Sequence, residues 1–201
     1  MKITLQDELP VITGLLAGTD EAGRGPLAGN VVAAAVILNR EAPIQGLDDS
    51  KKLSEKKRLM LADEIKQKAL SWAVVSVSPQ QIDEMNILQA SLFAMRSAAE
   101  KLQVTPKHVF VDGNQTLPDC FCETTAIIKG DARVAEISAA SILAKVERDA
   151  QMLTLHKQYP EYGFDKHKGY PTKVHREVLE RVGPCPEHRR SYAPVRASLK
   201  S

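Results

Sequence analysis

The stretch Gly18-Thr19-Asp20-Glu21-Ala22-Gly23-Arg24-Gly25-Pro26-Leu27-Ala28-Gly29 decides how the chain is read. The apolar run Gly14-Leu15-Leu16-Ala17-Gly18 leads into it, and a second run, Val31 to Leu38, leaves it. Short apolar runs bounded by turn formers predict two buried strands joined by a tight, glycine-rich connection. That connection carries two adjacent carboxylates, an arginine between two glycines, and a proline. Neighbouring acids beside a buried strand repel each other and are costly to desolvate unless a cation sits there. Glycine lets the backbone come close to another group. The competing reading is a solvated hairpin turn whose acids face water, and the rest of the chain chooses between the two.

The chain has 201 residues, 43% of them hydrophobic and 26% charged, which is ordinary globular composition with room for one sizeable core. No apolar run reaches the length of a membrane span. Acids stand close to the N-terminus and no signal-like apolar stretch follows it, which predicts a cytoplasmic protein without a membrane partner. Cys120, Cys122 and Cys185 lack metal-knuckle or redox spacing, and reduced thiols are expected. The net charge of +2 is unevenly spread. From His156 on there are ten Lys or Arg against five Asp or Glu, a local +5 that leaves −3 for the remainder. An acidic body with a basic tail suits a polyanionic substrate held by the tail and cut by metal-bound acids, although a merely solvated tail has the same charge.

Outward from the opening stretch, Asp49-Ser50-Lys51-Lys52-Leu53-Ser54 leads into an amphipathic helix that Ser54 would cap. Ser50 and Lys51 are candidates for a phosphate contact. Trp72 to Val77 predicts a strand, and Pro79 opens helical sequence that continues from Ile87 to Leu102. His108-Val109-Phe110-Val111-Asp112-Gly113 is a short buried strand running into an acid, a frequent site position in α/β sheets but also a plain turn. Thr124 to Ile128 is a fifth strand. Lys129-Gly130-Asp131 then opens the longest helical pattern, Arg133 to about His156, where Asp131 is placed like an N-cap. Small residues in its first half allow close packing, and Ser138, Ser141 and Lys145 share one helical face. From Tyr159 the texture changes. His167-Lys168-Gly169-Tyr170-Pro171 mixes aromatics, cations and turn formers, which suits sugar or base stacking beside phosphates. Thr172 caps a last helix to Val182, and Glu187 to Ser201 reads as irregular. A soft boundary divides residues 1–157, the catalytic body, from 158–201, a basic extension.

Asp20, Glu21, Asp112 and Asp131 each fall at the end of a strand or the start of the helix after one. Four hard oxygen donors without His or Cys favour Mg²⁺ or Mn²⁺ over zinc. Two such ions roughly 3.5–4 Å apart can clamp a phosphodiester.

These motifs, with Ser138-Ala139-Ala140-Ser141-Ile142-Leu143-Ala144-Lys145-Val146, make the chain resemble bacterial ribonuclease H of the second type, ribonuclease HII, from Leu15 to about Val182. The resemblance implies an α/β, RNase H-like fold: a central mixed sheet of about five strands flanked by helices, with a C-terminal helical extension. It implies that Asp20, Glu21, Asp112 and Asp131 are the catalytic and metal-binding set, with two ions when substrate is bound. It implies cleavage of RNA in RNA–DNA hybrids and 5′ of single ribonucleotides in duplex DNA, leaving 3′-hydroxyl and 5′-phosphate ends, in the service of ribonucleotide removal. By resemblance, Gly23-Arg24-Gly25 reads the ribonucleotide 2′-hydroxyl, and Tyr170 packs on the next, deoxy sugar. Ser50, Lys51, Ser138, Ser141, Lys145 and Lys168 complete the expected nucleic-acid contacts. The third bacterial type differs at the Arg24 position and carries a long N-terminal extension; the first lacks the contiguous Asp-Glu-Ala-Gly-Arg-Gly stretch. Ser191 to Ser201 shows nothing convincing of a clamp-binding peptide with paired aromatics, which leaves a sliding-clamp partner doubtful; a monomer is expected. Two alternatives remain at this stage: a non-catalytic nucleic-acid module, and another metal-dependent phosphodiesterase on this fold, such as a junction nuclease or integrase core.

Overall fold

The computed structural model describes residues 1–199. A six-stranded mixed sheet runs in the order β1-β6-β5-β2-β3-β4. Its strands are β1 Lys2–Ile3, β2 Leu16–Ala22, β3 Val31–Ile37, β4 Ser71–Val77, β5 His108–Asp112 and β6 Glu123–Ile127. The strand triplet β2, β3 and β4 is antiparallel, whereas β5 joins β2, and β6 joins β5, in parallel. The sixth strand is the two-residue β1, parallel to β6 at the sheet edge.

Every residue of β3 is buried, because helices cover both faces of the sheet. Val31, Ala33, Ala35 and Ile37 face α2 (Pro79–Met85) and α3 (Ile87–Glu100). Ala34 and Val36 face α1 (Glu55–Lys68) and α4 (Ala135–Gln158). The small residues of α4 match the alanines of β3. Against the backbone of α4 the fit is tight at Gly18, where an added Cβ would stand 2.3 Å from the Glu136 carbonyl carbon and the Ile137 nitrogen. Helix α4 therefore lies directly on the backbone of β2, the strand that carries the first two acids.

Local signals were honoured where side chains act on their own backbone. The Ser54 hydroxyl accepts from the Lys57 N–H, and the Thr172 hydroxyl from the His175 N–H of α6 (Lys173–Val182). The helical sequence after Pro79 is two helices, broken where Asn86 takes φ 67° and caps α3 with its side chain. After α4 come a 3-10 turn, Pro160–Tyr162, and the short α5, Phe164–His167. The tail read as irregular contains α7, Ala193–Ser198, and two fully buried side chains, His188 and Arg189. Among the described residues no helix is long and apolar enough to cross a membrane.

Candidate active site

Asp20 and Glu21 lie inside β2 rather than in the connection after it, because β3 goes on pairing as far as Ala22↔Val32. Thr19 stands opposite Val111 in the parallel ladder, so Asp20 and Asp112 follow as neighbours, and strand alternation turns them to the same face. Asp131 arrives from the turn after β6. Lys129 takes the left-handed conformation at φ 53°, Gly130–Ala132 forms a 3-10 turn, and the Asp131 N–H donates to Asp112 Oδ1 at 3.3 Å. The expected N-cap is corrected: the cap position of α4 is Val134, which has no side-chain cap bond. Ser138, one turn into α4, donates its hydroxyl to the Asp131 carbonyl at 2.5 Å and so fixes that turn from below.

The four acids crowd one another. Asp20 is 5% exposed; burial, then the charges of Glu21 and Asp112, hold its carboxyl well above the usual range. Burial pushes Glu21 up to about 7, against the pull of Arg24, whose Nη1 lies 3.5 Å from Glu21 Oε1. Asp112 is raised by burial against the N–H groups of Asp131 and Gly130. Asp131 is raised by burial, then by Asp112 and Asp49. Lys51 feels all of them: burial lowers its affinity for a proton, but Asp49, Asp131, Asp20 and Asp112 together raise it. One lysine and one half-exposed arginine undercompensate this charge, and a divalent cation would relieve it. Among the described residues no group of three or more His, Cys, Asp or Glu side chains is already gathered closely enough to hold an ion by itself. An open carboxylate set suits Mg²⁺ or Mn²⁺, which keep waters and complete their shell with phosphate oxygens.

Of the four acids, Asp20 and Glu21 open into a cleft of about 270 Å³ lined also by Ala22, Gly23, Arg24, Gly25, Ser50, Lys51, Ser141, Lys145, Arg148 and Tyr170, and Asp131 does not line it. Asp112 borders the adjoining notch, which shares Glu21 and Arg24 with the cleft. Ser50, from the turn before α1, and Ser141 of α4 meet through their hydroxyls at 3.0 Å. Lys145 Nζ is paired with Asp149 at 2.7 Å. Tyr170 is 44% exposed, so its ring is not a core tyrosine; it faces Gly25 across the cleft, 3.5 Å from where a Gly25 Cβ would stand. Two expected nucleic-acid contacts do not line the cleft. Ser138 is buried with its hydroxyl on the Asp131 and Val134 carbonyls. Lys168 turns its ammonium to the Asp165 carbonyl.

Sequence reasoning missed what stands behind the cleft. Arg148, 1% exposed, donates to the carbonyls of Lys168 at 2.9 Å, Asn30 at 3.3 Å and Ala28 at 3.4 Å, and lies 5.9 Å from the Tyr170 ring centre. The His175 Nδ1–H donates to the Tyr170 carbonyl at 2.9 Å, which leaves its Nε2 to accept from His188 Nε2–H at 3.0 Å. His188 Nδ1 then accepts from the Cys185 N–H at 3.1 Å. Nothing in the sequence marks these residues, since an arginine in a helix or a basic tail ordinarily faces water.

The family profile described as Ribonuclease HII matches residues 17–195. Ribonuclease HII of Vibrio parahaemolyticus is 58% identical over 192 residues, covering 96% of this chain and 90% of that protein. The crystal structure of ribonuclease H2 from Pyrococcus horikoshii superposes with a TM-score of 0.77 at 29% identity, covering 92% of this chain and 97% of that one. Ribonuclease HII of Archaeoglobus fulgidus, solved in complex with PCNA, gives 0.72 at 29%, covering 87% and 93%. The likeness runs through both halves of the cleft, from the acids of β2 to the tail that backs it, and the chain belongs to the ribonuclease HII family.

Proposed function

We propose that this chain is a divalent-metal-dependent endoribonuclease that cleaves the RNA strand of RNA–DNA hybrids and cuts duplex DNA 5′ of a single embedded ribonucleotide, as a step in removing it. The observation that carries the reading is the sharing of one cleft by the buried acids Asp20 and Glu21, the Gly23-Arg24-Gly25 loop and the exposed Tyr170. A phosphodiester lying over the acids would have its ribose against the loop and its next sugar against the ring.

In the hydrolysis, a water oxygen bonds to phosphorus while the bond to the upstream 3′-oxygen breaks, giving a 3′-hydroxyl and a 5′-phosphate. Mg²⁺ or Mn²⁺, two ions with substrate bound, would supply an activated water and stabilise the leaving oxygen. Asp20, Glu21, Asp112 and Asp131 would hold the ions, whose positive charge would offset the buried carboxylate charge that now raises their affinity for protons. Lys51 and Lys145 meet phosphates at the cleft wall, with Ser50 and Ser141 between them. Gly23 and Gly25 let the backbone reach a 2′-hydroxyl, a group that DNA lacks. Residues 1–157 act as the catalytic body and 158–201 as the extension that borders the cleft with Tyr170. The tail's aromatic, Tyr192, is turned inward onto Arg189 and the Arg24 carbonyl, so it is not presented as a clamp-binding side chain.

The test is purified protein with Mg²⁺ on end-labelled duplex DNA carrying one ribonucleotide. One cut on its 5′ side is expected, with the all-DNA duplex intact. Binding without cutting would indicate a non-catalytic module, and comparable cutting of all-DNA duplex another phosphodiesterase; either result overturns the proposal.

A further inference from the structure

The loop that borders the cleft is shaped from behind by a residue far away in the chain. Arg189 is 0% exposed, and all its N–H groups are committed. Nε donates to the Gly29 carbonyl at 3.0 Å; Nη2 donates to the carbonyls of Gly23 at 2.7 Å and Gly29 at 2.8 Å. Nη1 donates to the Arg24 carbonyl and to the Tyr192 hydroxyl, both at 3.0 Å. The Tyr192 hydroxyl in turn donates to the Arg24 carbonyl at 2.6 Å. No carboxylate is among these partners. A cation buried without a counter-ion is costly, and burial lowers the proton affinity of this one.

The backbone beside Arg189 is zipped to the same loop. The Gly29 N–H donates to the Glu187 carbonyl at 2.9 Å and the Arg189 N–H to the Leu27 carbonyl at 2.8 Å, on either side of an antiparallel bridge, Ala28↔His188. The segment is bolted in turn to α2: Asp83 accepts from the N–H groups of Arg190 at 2.8 Å and Ser191 at 2.9 Å, and from the Ser191 hydroxyl at 2.5 Å.

A trans peptide points its C=O and its N–H in opposite directions. Drawing the carbonyls of Gly23 and Arg24 back onto Arg189 turns the N–H groups of Arg24 and Gly25 the other way, and among the described residues neither N–H has an intramolecular partner. Gly23, Arg24 and Gly25 all line the cleft.

We infer that Arg189 is a positioning residue for recognition of the ribonucleotide, holding the carbonyls of Gly23 and Arg24 so that the next two backbone N–H groups face a 2′-hydroxyl. The inference rests on the reading of that loop as the 2′-hydroxyl reader. A guanidinium suits the task because its donors form a rigid fork over three carbonyls; a lysine offers the charge without the fork.

The test is the ratio of two affinities, measured with Ca²⁺ in place of Mg²⁺: a duplex with one ribonucleotide against the same sequence all in DNA. Wild type is expected to prefer the ribonucleotide duplex. In Arg189→Lys the ratio is expected to fall about tenfold or more, with all-DNA affinity within about twofold, since phosphate contacts lie elsewhere. Tyr192→Phe removes a single hydroxyl on the same carbonyl; it covers the case in which the lysine variant does not fold and is expected to lower the ratio about threefold. An unchanged ratio in either folded variant overturns the inference, and so does an equal loss of both affinities with a lowered melting temperature. A wild type with no preference overturns the 2′-hydroxyl reading itself, and the role of Arg189 falls with it.

Discussion

Two glycines separated by one residue make opposite predictions. Gly25 is exposed, its φ is not positive, and an added Cβ would meet Tyr170 Cε1 at 3.5 Å, an ordinary contact. Gly25→Ala should therefore fold normally, within about 0.5 kcal/mol of wild type. Its methyl group would nevertheless stand between the loop and the Tyr170 ring, where the sugar is proposed to lie. Gly23 has φ +98°, and its Cβ would stand 2.1 Å from Arg148 Nε, 2.4 Å from Arg148 Cδ and 2.9 Å from the Asn30 carbonyl oxygen. The backbone strain of Gly23→Ala costs about 1–2 kcal/mol. Displacing Arg148 breaks hydrogen bonds of a buried charge, on the order of 2–3 kcal/mol more. For a chain of this size, about 4 kcal/mol lowers the melting temperature by roughly 8–16 °C. Thermal melts and kcat/KM on a duplex with one ribonucleotide should be measured together. Gly25→Ala is expected to lose about tenfold or more in kcat/KM with its melting point kept within ~3 °C. Full activity in a normally folded Gly25→Ala protein would refute the placement of the sugar, and a Gly23→Ala protein that melts like wild type would refute the packing of Arg148.

Asp112→Asn and Asp131→Asn should abolish cleavage yet, in chelator at neutral pH, melt no lower than wild type. Both carboxyls have raised proton affinity in the fold, so their charges destabilise it above those pKa values; a clear drop in melting temperature would contradict this. Mg²⁺ or Mn²⁺ should support activity and Ca²⁺, with its looser coordination, should not; full activity in Ca²⁺ or excess chelator speaks against the metal assignment. Burial, then the neighbouring His175 and His167, push His188 down to about 4 from an unfolded value near 6.5, so the neutral form is favoured by the fold. Its contribution is complete above pH 6.5 and is lost as pH falls toward 4. The stability gap between wild type and His188→Asn should narrow by about 2 kcal/mol from pH 7 to pH 5, and a constant gap would exclude the neutral histidine chain. Tyr170→Ala should harm cutting at a single ribonucleotide more than cutting of a uniform hybrid, and Tyr170→Phe should spare both; equal losses with a lower melting temperature would point to a packing role.

What the sequence disclosed follows the range of the forces involved. Strands β2 to β6 and the caps at Ser54 and Thr172 were legible because apolar period and side-chain caps act over a few residues. The strand β1 was not, since two residues carry no period and their partners Ala126 and Ile127 lie at the far side of the sequence. The break at Asn86 hides inside a continuous helical pattern and shows only as a positive φ. Asp131 looked like a cap because an acid just before a helix usually is one; the 3-10 turn moves it out of that place and onto Asp112. The front of the cleft was readable since acids, glycines and tyrosine sit in recognisable motifs. The back was not, because Arg148, Arg189 and the histidines work through carbonyls of distant residues, and a backbone carbonyl leaves no trace in a sequence.

The bond from Arg189 to the Arg24 carbonyl spans 165 residues. At translation rates of about 5–20 residues per second, roughly 10–30 s pass between synthesis of the loop and of the residue that shapes it. An unfinished polypeptide, or one cut short by a premature stop, would carry the acids of β2 without the donors that hold the Gly23 and Arg24 carbonyls. The hydrogen bonds that hold the Gly23–Arg24 turn therefore close only after Arg189 has emerged, late in synthesis.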